Sequence, residues 1–204
     1  MQTEIKVSSI NAFVTPVFTG IVKGMNKDND IEKQLRKEII EDPLDAFATQ
    51  QTPSDFFIEP LCEAITTLVH EVMVQSYRYA SYDIDITSMW GNVQRHGNHC
   101  FKHTHANSIF SGVFYINENQ DFPPIQFHRP PESSFDIIVD DENEFNRGKI
   151  FLYPKTDMIV IFPSWLEHDV PVNTSGQDRL SISFNIMGRG RFGQPNSRQE
   201  IIIS

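Results

Sequence analysis

Arg179-Leu180-Ser181-Ile182-Ser183-Phe184-Asn185-Ile186 alternates polar and apolar side chains without a break. A period of two belongs to a β-strand, where successive side chains point to opposite faces. Leu180, Ile182, Phe184 and Ile186 therefore share one face, and Arg179, Ser181, Ser183 and Asn185 share the other. Either the polar face looks out to water, or it lines the interior of a barrel. An arginine in an interior is costly unless something anionic pairs with it.

Further strand-like runs lie at 84–94, 109–116, 125–128, 150–153 and 158–162, with the alternating run covering 179–187. They are rich in Ile, Val, Phe and Tyr and are bounded by Gly, Pro, Asn and Asp. Many short strands with no helices between them point to a sandwich, jelly roll or barrel. The first part of the chain reads differently. Ile31, Leu35 and Ile39 recur every four residues after Asp28-Asn29-Asp30, a cluster able to cap a helix. After Pro60, Leu61, Ile65, Leu68 and Val72 form one apolar stripe, with Glu63, Thr67 and a solvated His70 opposite. The expected fold is mainly β with N-terminal helices (α+β): a double-stranded β-helix, or jelly roll, packed against helices. One domain spans 1–204, with an N-terminal strand and supporting helices over 1–80 and the jelly-roll core over 81–204.

The chain has 204 residues, 39% of them hydrophobic, including 16 phenylalanines, enough for a sizeable core. Its 27 acidic against 17 basic residues give a net charge of −10, which argues against nucleic acid as a partner. Only Cys62 and Cys100 are present, so no disulfide framework is read. No secretory signal and no apolar run near the ~18 residues of a membrane span is seen, and a cytoplasmic setting is expected. Asn173-Thr174-Ser175 matches a glycosylation acceptor that such a setting leaves unused. A homodimer is compatible with the sequence. Asp140-Asp141-Glu142-Asn143-Glu144 reads as a solvated loop tip, with a lid over a site as the alternative. Gly188-Arg189-Gly190-Arg191-Phe192-Gly193 fits a dinucleotide fingerprint, but Gln194-Pro195-Asn196-Ser197 is a poor helix start and too little chain follows for the rest of that motif. The two arginines are instead candidates for the rim of a substrate groove.

Four histidines, His96, His99, His103 and His105, crowd one stretch. On an extended strand His103 and His105 point to the same side and can converge on one ion. His99 and His103 would need a helix to do so, which Gly97 argues against. A His-x-His pair alone is equally consistent with a surface or structural role. His168 strengthens the metal reading, because it follows the apolar strand 158–162 and precedes Arg179 by eleven residues.

Together these residues resemble the 2-oxoglutarate- and Fe(II)-dependent oxygenases. The similarity is greater to a branch of small oxygenases from bacteria and their viruses related to prolyl hydroxylases. The resemblance runs through Trp90-Gly91-Asn92-Val93, Lys102-His103-Thr104-His105, Ser111-Gly112-Val113-Phe114-Tyr115, Phe162-Pro163-Ser164-Trp165 and Arg179-Leu180-Ser181. It implies Fe(II) held by His103, His105 and His168, with 2-oxoglutarate and O2 as cosubstrates. Arg179 would pair with the distal carboxylate of 2-oxoglutarate, assisted by Ser181 and by Asn92 or Gln94. The implied reaction decarboxylates 2-oxoglutarate to succinate and hydroxylates a C–H bond of a protein, peptide or small molecule. The chain departs from the superfamily at His105, where Asp or Glu is usual. His105 then either completes a three-imidazole set or leaves a two-histidine site, and Asp169 is poorly placed to substitute because it neighbours His168 on an extended chain. His128, Tyr115, Trp90 and Trp165 are candidates for the substrate side, or simply packing residues. Two other readings remain open: a cupin-like three-histidine dioxygenase that does not use 2-oxoglutarate, for which Arg179 has no general role, and a non-catalytic metal-binding jelly roll.

Overall fold

A computed structural model describes residues 14–39, 49–78, 83–130, 138, 140–193 and 201–203. Eleven strands and three helices are formed among them. In chain order they are β1 (Phe18–Ile21), α1 (Met25–Asp28), α2 (Ile31–Glu38), β2 (Gln50–Gln51), α3 (Glu59–Glu71), β3 (Asp83–Gln94), β4 (Cys100–His103), β5 (Phe110–Tyr115), β6 (Ile125–His128), β7 (Lys149–Leu152), β8 (Met158–Pro163), β9 (His168–Val170), β10 (Arg179–Phe192) and β11 (Ile201–Ile203). A π-helical turn, Val72–Tyr77, continues α3.

The strands form two antiparallel sheets. The larger runs β1-β8-β5-β10-β3-β2, with β11 paired to β10, and the smaller runs β4-β9-β6-β7. This is the expected jelly roll with helices on one side. The alternation of β10 decides which side. Leu180, Ile182, Phe184 and Ile186 are fully buried and share a core with Leu35, Leu61, Ile65 and Val69 of the helices. Each such side chain contributes about 1.5–3 kcal/mol by leaving water. The opposite face of β10 looks between the two sheets, and Arg179 and Ser181 are buried there. The polar face lines the barrel.

Glycine makes two close approaches possible. A Cβ on Gly91 would sit 2.1 Å from Leu35 Cδ1, so its absence lets α2 lie against β3. A Cβ on Gly112 of β5 would lie 2.4 Å from the Val160 carbonyl oxygen and 2.3 Å from the Phe184 ring.

Some local expectations change. No side-chain oxygen of the 28–30 cluster caps α2; Asp30 is left-handed (φ 50°), and Asn26 Oδ1 accepts from the Glu32 amide at 3.0 Å instead. The buried stripe of α3 passes through Val69, while Leu68 is half-buried near Gly20 and His70 is exposed as expected. β10 continues through Phe192, so the glycine-rich stretch lies on a strand up to that residue, and Arg189 is paired with Asp85. Residues 140–145 form an exposed turn. Residues 40–48 and 194–200 of the expected single domain lie outside the described residues. No described helix is long and apolar enough to cross a membrane.

Candidate metal centre and cosubstrate cavity

His103 ends β4 and His168 begins β9, and the two residues are register partners in the β4–β9 ladder. The chain leaves β4 after His103, and the His105 amide donates to the Ser164 carbonyl at 2.9 Å, which turns His105 back toward β9. One ligand nitrogen from each of His103, His105 and His168 then lies within 4.8 Å of the others. The Nε2 atoms of His105 and His168 are 3.3 Å apart.

Two backbone carbonyls orient the set. His103 Nδ1 donates to the Phe101 carbonyl at 2.7 Å, and His168 Nδ1 donates to the Leu166 carbonyl at 2.9 Å. A carbonyl only accepts, so each Nδ1 carries a proton, and Nε2 is the nitrogen of each ring left to bind a metal. Such a carbonyl partner is the usual outer support of a metal-binding histidine. Burial, reinforced by the charge His103 would carry, pushes His105 down to about 4. Burial is also the main cause that pushes His168 down to about 3, outweighing its bond to Leu166. Both are neutral at pH 7, the state in which imidazole binds a metal. Three imidazoles brought this close, with His105 and His168 held neutral, fit a cation.

The other histidines are elsewhere. His96 Nδ1 lies 3.0 Å from the Ser175 carbonyl, and His99 meets the edge of Phe101 at 4.4 Å. His128 Nε2 and Asp169 Oδ2 are 2.7 Å apart, so Asp169 is held by His128, outside the cluster, as its position beside His168 suggested.

Arg179 stands in the same cavity as the three histidines. It is 4% exposed, and among the described residues no carboxylate pairs with it. Its Nη1 donates to Gln94 Oε1 at 3.3 Å, its carbon ζ lies 5.0 Å from the Tyr115 ring centre, and its Nε has no partner. Burial lowers its pKa from the ordinary value, because a charge without a counter-ion is poorly solvated there. The buried Tyr115 hydroxyl adjoins the Arg179 side chain and has no other hydrogen-bond partner among the described residues. Burial pushes its pKa up, against the pull of the Arg179 charge. A buried guanidinium with an unpartnered Nε beside the Tyr115 hydroxyl fits a carboxylate, and so fits one end of a dicarboxylic cosubstrate.

The remaining candidates from the sequence divide. Ser181 and Asn92 line the cavity, and Asn92 is bonded to Gln51 at 3.0 Å and to Ser183 at 2.9 Å. Gln94 spends its amide hydrogens on the carbonyls of Asn98 (3.1 Å) and Pro171 (2.9 Å) and its oxygen on Arg179, so it braces Arg179. Trp90 lines the cavity, its ring 6.0 Å from that of His105, while Trp165 is outside it and exposed. The pairing of Tyr115 with Arg179 was not evident in the sequence, since it depends on β5 and β10 being neighbours, with Tyr115 opposite Ser181.

Residues 88–185 match the model of the family described as "Putative 2OG-Fe(II) oxygenase". This is an enzyme family for which Fe(II) and 2-oxoglutarate are typical. No curated protein matches the chain. Among solved structures, it is similar to the non-haem alpha-ketoglutarate-dependent epimerase SnoN from nogalamycin biosynthesis, with a TM-score of 0.62 and 8% identity over 90% of this chain and 83% of that one. A prolyl-4-hydroxylase of Pseudomonas putida gives 0.59 and 15% over 86% and 94%. HygX of Streptomyces hygroscopicus, with nickel, 2-oxoglutarate and hygromycin B bound, gives 0.56 and 9% over 84% and 82%. At these identities the likeness is one of fold.

Proposed function

We propose that the protein is a non-haem Fe(II)- and 2-oxoglutarate-dependent dioxygenase that hydroxylates a C–H bond of a protein, peptide or small-molecule substrate. In this reading His103, His105 and His168 hold the iron and Arg179 binds the distal carboxylate of 2-oxoglutarate. The observation that carries it is the buried Arg179, whose Nε lacks a partner among the described residues and which shares one narrow cavity with His103 and the neutral His105 and His168.

Each residue then has a physical task. The carbonyls of Phe101 and Leu166 hold His103 and His168 in the tautomer that presents Nε2. Arg179 can donate two parallel bonds to a carboxylate, and Tyr115 can add a third donor. Gln94 keeps the guanidinium in place. Val113, Ile125 and Phe162 wall the cavity and limit water. The iron centre supplies oxidation of a C–H bond by O2, coupled to conversion of 2-oxoglutarate to succinate.

The third imidazole, where the superfamily has an acid, favours one competing reading: a three-histidine dioxygenase that does not use 2-oxoglutarate. The two separate in one experiment. Anaerobic Fe(II) and 2-oxoglutarate added together give a weak visible charge-transfer band, and admitting O2 then releases succinate. Succinate release no faster than in His168→Ala contradicts the proposal, and O2 uptake that ignores 2-oxoglutarate supports the competitor.

A further inference from the structure

The cavity that holds Arg179 and the histidines is small, about 80 Å³, against roughly 300–1,000 Å³ for ordinary small-molecule sites. A second cavity of about 650 Å³ opens beyond it. Its walls include Met73, Tyr77, Phe110, Pro163, Trp165 and Phe192. His105 is the one described residue that lines both spaces. The larger groove thus meets the candidate metal centre at His105.

The walls have a definite chemistry. Among the described residues no Asp, Glu, Lys or Arg lines it, although the chain carries a net charge of −10. An ionic group laid in the groove would lose hydration without gaining a counter-ion. Met73 and Tyr77 reach the groove from the π-helical turn Val72–Tyr77, where the Tyr77 ring packs 5.4 Å from Phe110. π-Helical turns are rare and recur at functional sites. Trp165 is 57% exposed, in the turn between β8 and β9, three residues before His168. An indole held there offers a flat apolar face at the entrance.

We infer that this groove binds the body of the substrate, and that the substrate is an uncharged small molecule with an aromatic or alicyclic frame, its reacting carbon directed past His105. The inference rests on the reading of His103, His105 and His168 as metal ligands. The volume suits a molecule of several fused rings. An extended peptide needs partners for its successive backbone amides, and the groove offers mostly Met, Phe, Pro, Ile, Val and Trp side chains. A peptide is therefore the disfavoured occupant.

The test uses 2-naphthol as a neutral probe and 2-naphthylmethylammonium as its charged counterpart, with the full chain loaded with Mn(II) or, as a diamagnetic control, Zn(II). Probe affinity comes from titration, and distance to the metal comes from paramagnetic relaxation of the probe protons. The neutral probe should bind at least about tenfold more tightly than the cation, despite the acidic chain, because only the cation must be desolvated unpaired. Its protons should relax faster with Mn(II) than with Zn(II). Trp165→Ala, at an exposed position, should weaken it by about tenfold, and Ser108→Glu, which adds a charge to the wall, should do the same. Equal or tighter binding of the cation, or no Mn(II)-dependent relaxation in protein shown to hold Mn(II), overturns the inference and leaves the metal reading standing. Displacement of naphthol by a proline-containing peptide amide at lower concentration than by naphthol itself also overturns it. If Mn(II) does not bind, the metal reading fails, and naphthol binding that ignores Trp165→Ala then sinks the groove as well.

Discussion

His103 and His168 face each other across the β4–β9 ladder, and each donates Nδ1–H to the carbonyl two residues before it, Phe101 at 2.7 Å and Leu166 at 2.9 Å. The same local device is thus applied on both strands, and it turns two Nε2 atoms toward one point. In the proposed site, loss of either ring would remove a ligand and its support together. His103→Ala and His168→Ala are expected to lower Fe(II) affinity by at least about a hundredfold, above the 10–100-fold typical of outer supports alone. His105→Asp should retain iron, because a carboxylate there restores the ligand type usual in the superfamily. Metal analysis of each purified variant checks this, and full iron content in His103→Ala contradicts the assigned site.

The histidines also make the metal-free protein sensitive to acid. His105 is held at about 4 and His168 at about 3, both below the ordinary 6.5. The unfolded chain therefore binds more protons between these values, and stability falls as the pH drops below about 6.5 toward the folded-state values. Above 6.5 this contribution is complete. The melting temperature of metal-free protein should decline from pH 7 to pH 5, and decline less in His168→Phe. Equal slopes in the two proteins would remove His168 as the source.

Gly112 gives a test of packing. A methyl group there meets the Val160 carbonyl oxygen and the Phe184 ring, neither of which can move without shifting β8 or β10. Gly112→Ala should cost about 1–3 kcal/mol of stability in urea unfolding. A change within error would mean that β5 can yield at this point.

Much of this was legible in the sequence because strong periodicity survives tertiary context. The alternation of β10 and the apolar runs of β5, β6 and β8 were read close to their observed bounds, while β10 runs five residues further, to Phe192. β4 and β9 were absent from the strand runs, although the chain was read as extended at His103–His105 and at His168; four residues and three, Cys100–His103 and His168–Val170, are too short to show a period, and β4 ends before His105. Yet they carry two of the three histidines. The orientation of the β10 polar face was open from sequence, because alternation gives two faces without saying which is inward. The Tyr115–Arg179 neighbourhood follows from long-range register, and the π-helical turn has no simple sequence mark. The helix cap failed as an expectation because Asn26, two residues ahead of the acidic cluster, reaches the Glu32 amide first.

The central claim is that Arg179 waits for a carboxylate. Charge-assisted bonds from it to 2-oxoglutarate, worth about 1.5–3 kcal/mol, would set the size of the effect. The decisive measurement is the dissociation constant of 2-oxoglutarate for the Fe(II)-loaded protein under anaerobic conditions, in the parent and in Arg179→Ala and Arg179→Lys, with iron content and circular dichroism recorded on the same samples. Arg179→Ala should bind 2-oxoglutarate about tenfold to a hundredfold more weakly, and Arg179→Lys should fall between it and the parent because an ammonium cannot make the paired bonds. Iron content should stay unchanged in both, since Arg179 is not a ligand. A folded, iron-loaded Arg179→Ala protein that binds 2-oxoglutarate as tightly as the parent would contradict the account.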